Sequence, residues 1–315
     1  MRFIITFIAL NWSIVTLAQQ QQMFTQYPYN KMAVNPAFAG HEDYLGLTAQ
    51  LRDQWNGFPG APEAQLLSVN LPRFKENVGV GFNLSRRSIG ITKEITFSGI
   101  YSYKFLFETG TLSMALEPSI RNRVMDFTDD RLKASQGIKN DPSIPDNKVT
   151  DVYANIGYGI YWNTDNYFLG ASMPRLIKND LDFYENDFTS RGVRHIMIMG
   201  GGVIGINEGL ALSVQSLLKL AEQSPLDADL TTSIILNDKY TAGIGYRFGG
   251  SEGDVGESIA LILSFQLTNQ FMIGFSQDFT LSRIRSYDNG SFEVVASYAL
   301  GKSKDKVVLL NPRYF

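Results

Sequence analysis

Tyr240-Thr241-Ala242-Gly243-Ile244-Gly245-Tyr246-Arg247-Phe248 changes character at every residue. Successive side chains of a strand point to opposite faces, so Tyr240, Ala242, Ile244, Tyr246 and Phe248 share one side and Thr241, Gly243, Gly245 and Arg247 the other. Leu45, Leu47, Ala49 and Leu51 alternate in the same way with Tyr44, Gly46, Thr48, Gln50 and Arg52. Val78, Val80, Phe82 and Leu84 alternate with Gly79, Gly81, Asn83 and Ser85, and Leu112, Met114, Leu116 and Ile120 with Ser113, Ala115, Glu117 and Arg121. A soluble sandwich gives the same period, so alternation alone leaves the architecture open. Segment length adds to it, because these runs approach the ~9–11 residues that a tilted strand needs to cross a bilayer. The second face also carries Gly, Ser, Thr, Asn, Gln, Glu and Arg, which suits a polar lumen better than a Lys- and Glu-rich solvent face. Trp55, Tyr101, Tyr103, Phe105, Trp162, Tyr167, Tyr240, Phe248, Phe292 and Tyr298 gather near segment ends, as interfacial girdles do.

Outward from that stretch the chain divides into fourteen such segments, near 43–54, 64–71, 78–86, 94–105, 110–121, 152–162, 166–173, 195–206, 210–220, 228–236, 240–248, 258–267, 271–281 and 291–300. With the N-terminal end in the periplasm, the even-numbered connections face the periplasm. All of these are short: 72–77, 106–109, 163–165, 207–209, 237–239 and 268–270. The odd ones include the long 122–151 and 174–194, with 249–257 and 282–290. Loops sorted by parity predict an all-β transmembrane antiparallel β-barrel of fourteen strands, with short periplasmic turns and long extracellular loops. The first connection, Arg52-Asp53-Gln54-Trp55-Asn56-Gly57-Phe58-Pro59-Gly60-Ala61-Pro62, reads as a wide hairpin loop in which Pro59 presets φ and Gly60 supplies positive φ.

The remaining chain falls into three further units. Residues 1–18 read as a secretory signal: Arg2 opens an apolar run from Phe3 to Leu17, and Thr16-Leu17-Ala18 offers small residues for cleavage before Gln19 or Gln20. Residues 19–42 are polar, aromatic and irregular, a candidate lumen plug, and residues 43–300 form the barrel. Residues 301–315 start with Lys302, Lys304, Asp305 and Lys306 and read as a C-terminal extension into the periplasm for partner contact, the alternative being a strand count that is off by one pair. The Gly200-Gly201-Gly202 run lies within a strand and is expected to relieve crowding where another segment, such as 23–42, meets the wall.

Composition narrows the chemistry. A net charge of -3 argues against nucleic-acid binding, and the lack of cysteine removes thiolate catalysis, disulfides and Cys-ligated metal. His41 and His195 are the only histidines, neither beside a Ser/Asp arrangement in sequence, so both are expected at the surface or rim and no enzyme is indicated. No cofactor is expected. Asp126, Asp129, Asp130 and Asp141 could offer carboxylates to calcium, but they lack EF-hand spacing and read as a solvated acidic loop. Arg52, Glu117, Arg121 and Arg247 fall on the lumen face, where an unpaired charge is costly; they are expected to pair as a network closing the bore, the alternative being that they line a wet channel.

Phe24-Thr25-Gln26-Tyr27, Asn35-Pro36-Ala37-Phe38-Ala39-Gly40, Arg52-Asp53-Gln54-Trp55-Asn56-Gly57 with Gly60-Ala61-Pro62, and Asn311-Pro312-Arg313-Tyr314-Phe315 together resemble the PorP/SprF family of type IX secretion system membrane proteins. Phe38 stands where the family pattern suggests Tyr, and Glu63-Ala64 departs from its usual sequel. The resemblance implies a non-enzymatic outer-membrane barrel, surrounded by outer-membrane lipid. Its implied partners are a secreted adhesin, through that adhesin's C-terminal sorting domain, and other type IX components. The implied role is export or surface retention, including that of adhesins used in gliding motility. On that reading Trp55, Phe58 and Pro59 are apolar anchors of the docking surface, and the loops around Asp129 and Phe183 supply specificity. The alternative reading is a transport barrel for small hydrophobic solutes, which an open lumen would favour.

Overall fold

A computed structural model describes residues 23–132, 145, 147–179, 192–222, 224, 226–249 and 256–301. Its strands are β1 (Leu45–Asp53), β2 (Glu63–Asn70), β3 (Val78–Ile89), β4 (Thr92–Phe107), β5 (Gly110–Asp126), β6 (Lys148–Asn163) and β7 (Tyr167–Met173). They continue with β8 (His195–Asn207), β9 (Leu210–Ala221), β10 (Asp227–Leu236), β11 (Tyr240–Phe248), β12 (Ser258–Gln266), β13 (Phe271–Thr280) and β14 (Ser291–Leu300). Each strand pairs with its sequence neighbours, and β1 closes on β14 from Leu45↔Leu300 to Asp53↔Phe292, giving a closed fourteen-stranded antiparallel barrel. No helix among the described residues is long and apolar enough to cross a membrane.

The alternation becomes an inside-out burial pattern. On β11, Ile244 is 62 % exposed while its neighbours in sequence point inward, down to Arg247 at 5 %. On β1, Leu51 is 53 % exposed and Gln50 and Arg52 are buried. A soluble sandwich would bury the leucine and expose the arginine. Here the apolar face can only satisfy itself in lipid, which separates the two architectures that share this period. Aromatic pairs ring the apolar band. Tyr103 packs on Phe105, Tyr240 on Phe265 and Phe271 on Tyr298 at the periplasmic end, and Tyr246 on Phe248 at the outer end.

Strand ends differ from the sequence reading mainly on the outer side. β5 and β6 run on to Asp126 and back from Lys148, shortening the expected 122–151 loop. Their extension is held by cross-strand ion pairs, Arg123 with Asp151 and Asp126 with Lys148, whose charges the alternation count treated as loop. The periplasmic turns are tight; in the three-residue β10–β11 connection both Asn237 and Asp238 take positive φ (50° and 56°), and Lys239 N bonds back to the Leu236 carbonyl.

Candidate functional site

Residues 23–44 run inside the barrel before β1 begins at its periplasmic end. Three short 3-10 turns, Tyr27–Tyr29, Lys31–Ala33 and Pro36–Phe38, break up the segment. Asn35 explains the last one: Pro36 follows it at the first turn position, and its side chain accepts from Ala37 N at 3.0 Å. Each backbone group of such an irregular segment needs a partner when water is excluded, and the lumen face supplies them. Asn30 donates to Gln50 and Ser68, Asn35 Nδ2 to the Ile160 carbonyl, Ser172 to the Val34 carbonyl, Ser102 to the Ala39 carbonyl, and Gly40 N donates to Asn70. On one side the fit is apolar, with Tyr27, Met32, Ala37 and Ala39 packed on Ile100, Tyr161 and Phe168. Wall glycines make room: a Cβ on Gly79 would lie 2.1 Å from the Ala39 carbonyl oxygen, and one on Gly159 2.2 Å from Asn35 Oδ1. The Gly200-Gly201-Gly202 run does not serve this purpose. Those positions face Phe168 and Leu169 of the neighbouring strand β7 and Asn166 just before it, so the crowding there is between strands.

Near the outer end the segment meets a buried charge cluster. Arg52 bonds Asp278 at 2.7 Å and Glu293 at 3.1 Å; Arg247 bonds Asp229 at 2.7 Å and lies 3.7 Å from Asp278; Lys219 reaches Asp229 at 2.6 Å. Thr25 sits at its centre. Its hydroxyl donates to Asp278 and accepts from Arg52 Nη1, while Thr25 N and Gln26 N donate to the Glu293 carboxylate at 2.8 and 2.9 Å. The cluster thus joins six strands, β1, β9, β10, β11, β13 and β14, to the lumenal segment through charge-assisted bonds, about twice as strong as neutral ones.

The other end closes on a histidine. Lys104 Nζ lies 2.6 Å from His41 Nδ1 and His41 Nε2 lies 2.8 Å from Asn163 Oδ1, an arrangement that suits a ring proton on Nε2. His41 also stacks on Phe38, with ring centroids 5.1 Å apart. It thus lies at the periplasmic rim, with its ring turned inward and sheltered by the aromatic pair Phe38 and Tyr161.

At the outer end the loops are knitted together. Phe58 to Ala61 form the expected turn, with Gly60 at φ 77° and Ala61 N bonded to the Phe58 carbonyl. Asn56 exchanges backbone bonds with Gly290 and Asn289 of the β13–β14 connection, Gly90 N donates to Gly60 O, and Arg131 donates to Gly90 O. Phe58 is 39 % exposed on this surface, and Tyr287 of the β13–β14 connection is 72 % exposed. Trp55 is half-buried with φ 53°, its N–H held by Ser291, and Pro59 is exposed. Asp129 lies on the same end, where hydrogen bonds from Arg131 hold its carboxyl below the usual range. Phe183 and Asp141 lie outside the described residues.

Of the four lumen charges read from sequence, Arg52 and Arg247 meet at Asp278. Glu117 and Arg121 belong elsewhere: Glu117 accepts from Ser98 beside a cavity of about 120 Å³, and Arg121 lies 3.6 Å from Glu94 and over the Tyr153 ring. Sequence reasoning missed Lys219, Asp229, Asp278, Glu293 and Thr25. The first four sit at lumen parity in strands whose alternation was not written out, and listing charges at that parity in all fourteen would have found them.

The type IX secretion system membrane protein PorP/SprF family model matches residues 16–298. The chain belongs to the PorP/SprF family. Three solved structures are similar to the chain at low identity. A Pseudomonas aeruginosa FadL homologue is 12 % identical with a TM-score of 0.50, covering 85 % of this chain and 93 % of its own. Acinetobacter baumannii Omp33 is 8 % identical with a TM-score of 0.47, covering 83 % and 100 %. The Pseudomonas putida toluene transporter TodX is 12 % identical with a TM-score of 0.47, covering 86 % and 93 %. No curated protein matches the chain. This PorP/SprF protein is accordingly an outer-membrane barrel of the type IX system, in a family of secretion-system barrels, and its place there implies contact with other secretion components.

Proposed function

We propose that this PorP/SprF protein is a non-enzymatic docking barrel. It binds the C-terminal sorting domain of a secreted adhesin on its outer loops and supports the adhesin's export or surface retention, including where adhesins drive gliding. The observation that carries this reading is the occupied bore. Residues 23–44 occupy the lumen and leave a cavity of about 120 Å³ beside Met23 and Phe24. Occupancy on that scale favours a surface role over solute transport. The outer loops suit such a role, being tied to one another by backbone bonds and presenting Phe58, Pro59 and the half-buried Trp55, with Asp129 at their edge. A preorganised surface with an aromatic anchor loses little entropy on binding.

Phe58→Ala is expected to weaken adhesin retention by about 2 kcal/mol, roughly thirtyfold in affinity, with most adhesin passing into the medium. Trp55→Ala is expected to do the same. Barrel abundance and heat-modifiable migration stay unchanged, since neither ring packs in the lumen. Immunoblots of cells and medium measure it, and normal surface retention in both variants would refute the anchor assignment.

A further inference from the structure

The lumenal segment has a direction. Its carboxyl-terminal end lies at the periplasmic mouth, where Gly40 N bonds Asn70, the last residue of β2, and His41 bonds Asn163, the last residue of β6. Its amino-terminal end lies high in the barrel. Thr25 and Gln26 are bonded to Glu293, two residues below the outer start of β14, and Thr25 to Asp278, two residues below the outer end of β13. Two strand residues are about 7 Å of strand length, less along a tilted barrel axis. The sequence reading placed the amino-terminal end in the periplasm. β1 does start there, but the chain before it has already descended from the outer half of the lumen.

We infer that the lumenal segment is threaded from the outside inward, so that the chain preceding Met23 leaves the barrel by its outer mouth and the mature amino terminus is presented to the cell exterior. Two arguments of size support it. With a start at Gln19 or Gln20, five or six residues precede Thr25, an extended reach of about 16–20 Å, more than the distance to the rim. Below Thr25 the lumen is occupied by the segment itself, whose Tyr27, Met32, Asn35 and Ala37 are buried. A partner outside the cell would thereby gain a covalent handle on the segment that fills the bore. The inference depends on the outer-membrane orientation and not on the identity of any docked adhesin.

The chain has no cysteine, so single-cysteine variants can be read in the otherwise native protein. Gln22→Cys and Met23→Cys are made separately, in case one alters processing, with Ser286→Cys as the outer control and Asp238→Cys as the periplasmic control. Intact cells are treated with a membrane-impermeant maleimide, and heat-modifiable migration confirms each folded barrel. The expected result is labelling of Gln22→Cys at half or more of the Ser286→Cys level, while Asp238→Cys reacts only after permeabilisation, and Met23→Cys reacts from the same side more slowly. Labelling of both amino-terminal variants only after permeabilisation overturns the inference. So does their reactivity only after denaturation, which would mean that the end is folded back into the lumen.

Discussion

Arg52→Met is expected to lower the stability of the folded barrel by about 3–5 kcal/mol, read as a shift of the heat-modifiable band to lower temperature or lower urea. The reason is the arrangement around it. Arg52 is 3 % exposed and sits between the Asp278 and Glu293 carboxylates. Its removal leaves two buried anions with fewer cations to compensate them, Arg247 standing 3.7 Å from Asp278. Methionine keeps much of the side-chain volume, so the loss reports charge and hydrogen bonding more than a cavity. Thr25 loses a donor at 2.9 Å as well, so the amino-terminal end of the lumenal segment is released first and becomes accessible to protease. Adding Glu293→Gln to Arg52→Met removes one uncompensated charge and is expected to recover part of the stability. Unchanged stability in Arg52→Met, or further loss in the double variant, contradicts this description of the cluster.

Gly79→Leu acts at the opposite end and has the largest expected effect on the bore. A side chain at this position would begin 2.1 Å from the Ala39 carbonyl oxygen and 2.4 Å from Ser102 Oγ, which itself donates to that carbonyl. Gly40 cannot retreat, because its own φ of 68° and its bond to Asn70 fix the backbone against the wall. Overpacking of this kind costs about 1–3 kcal/mol, and the segment can yield more readily than the closed sheet. In planar bilayers the parent is expected to show no stable conductance and Gly79→Leu to show steps of current as residues 36–41 leave their seat. A silent variant with an intact barrel would mean that the segment stays seated or that other parts of the chain close the bore.

The barrel was legible in the sequence because its signal is repeated. Each strand restates the alternation, and the sorting of short and long connections is a property of the whole chain that no single segment could counterfeit. The closure of β1 on β14 follows from that parity, since an even number of antiparallel strands brings both edges together in register. The lumen was less legible. Thr25 reads as an unremarkable polar residue, and its value arises only where β1, β11, β13 and β14 converge, a coincidence of residues more than two hundred positions apart. Glu117 shows the converse. It shares the parity of Arg52, yet it lies across the lumen with Ser98, because parity gives a face and not a height or a position around the barrel. The sheltered setting of His41 at the periplasmic rim was illegible for a similar reason: its flanking Glu42 and Asp43 look like a surface run, whereas its aromatic partners Phe38 and Tyr161 come from two separate parts of the chain.

The central claim, a barrel with a filled bore whose outer loops hold secreted cargo, is tested most directly by photo-cross-linking in living cells. A photoreactive amino acid is placed at Phe58, and in a second strain at Asp238 in a periplasmic turn, and adducts are identified by mass spectrometry. The account predicts that position 58 captures a secreted adhesin through its C-terminal domain and that position 238 does not. Capture of that cargo from position 238 alone, or none from position 58 while the adhesin is displayed normally, would contradict it.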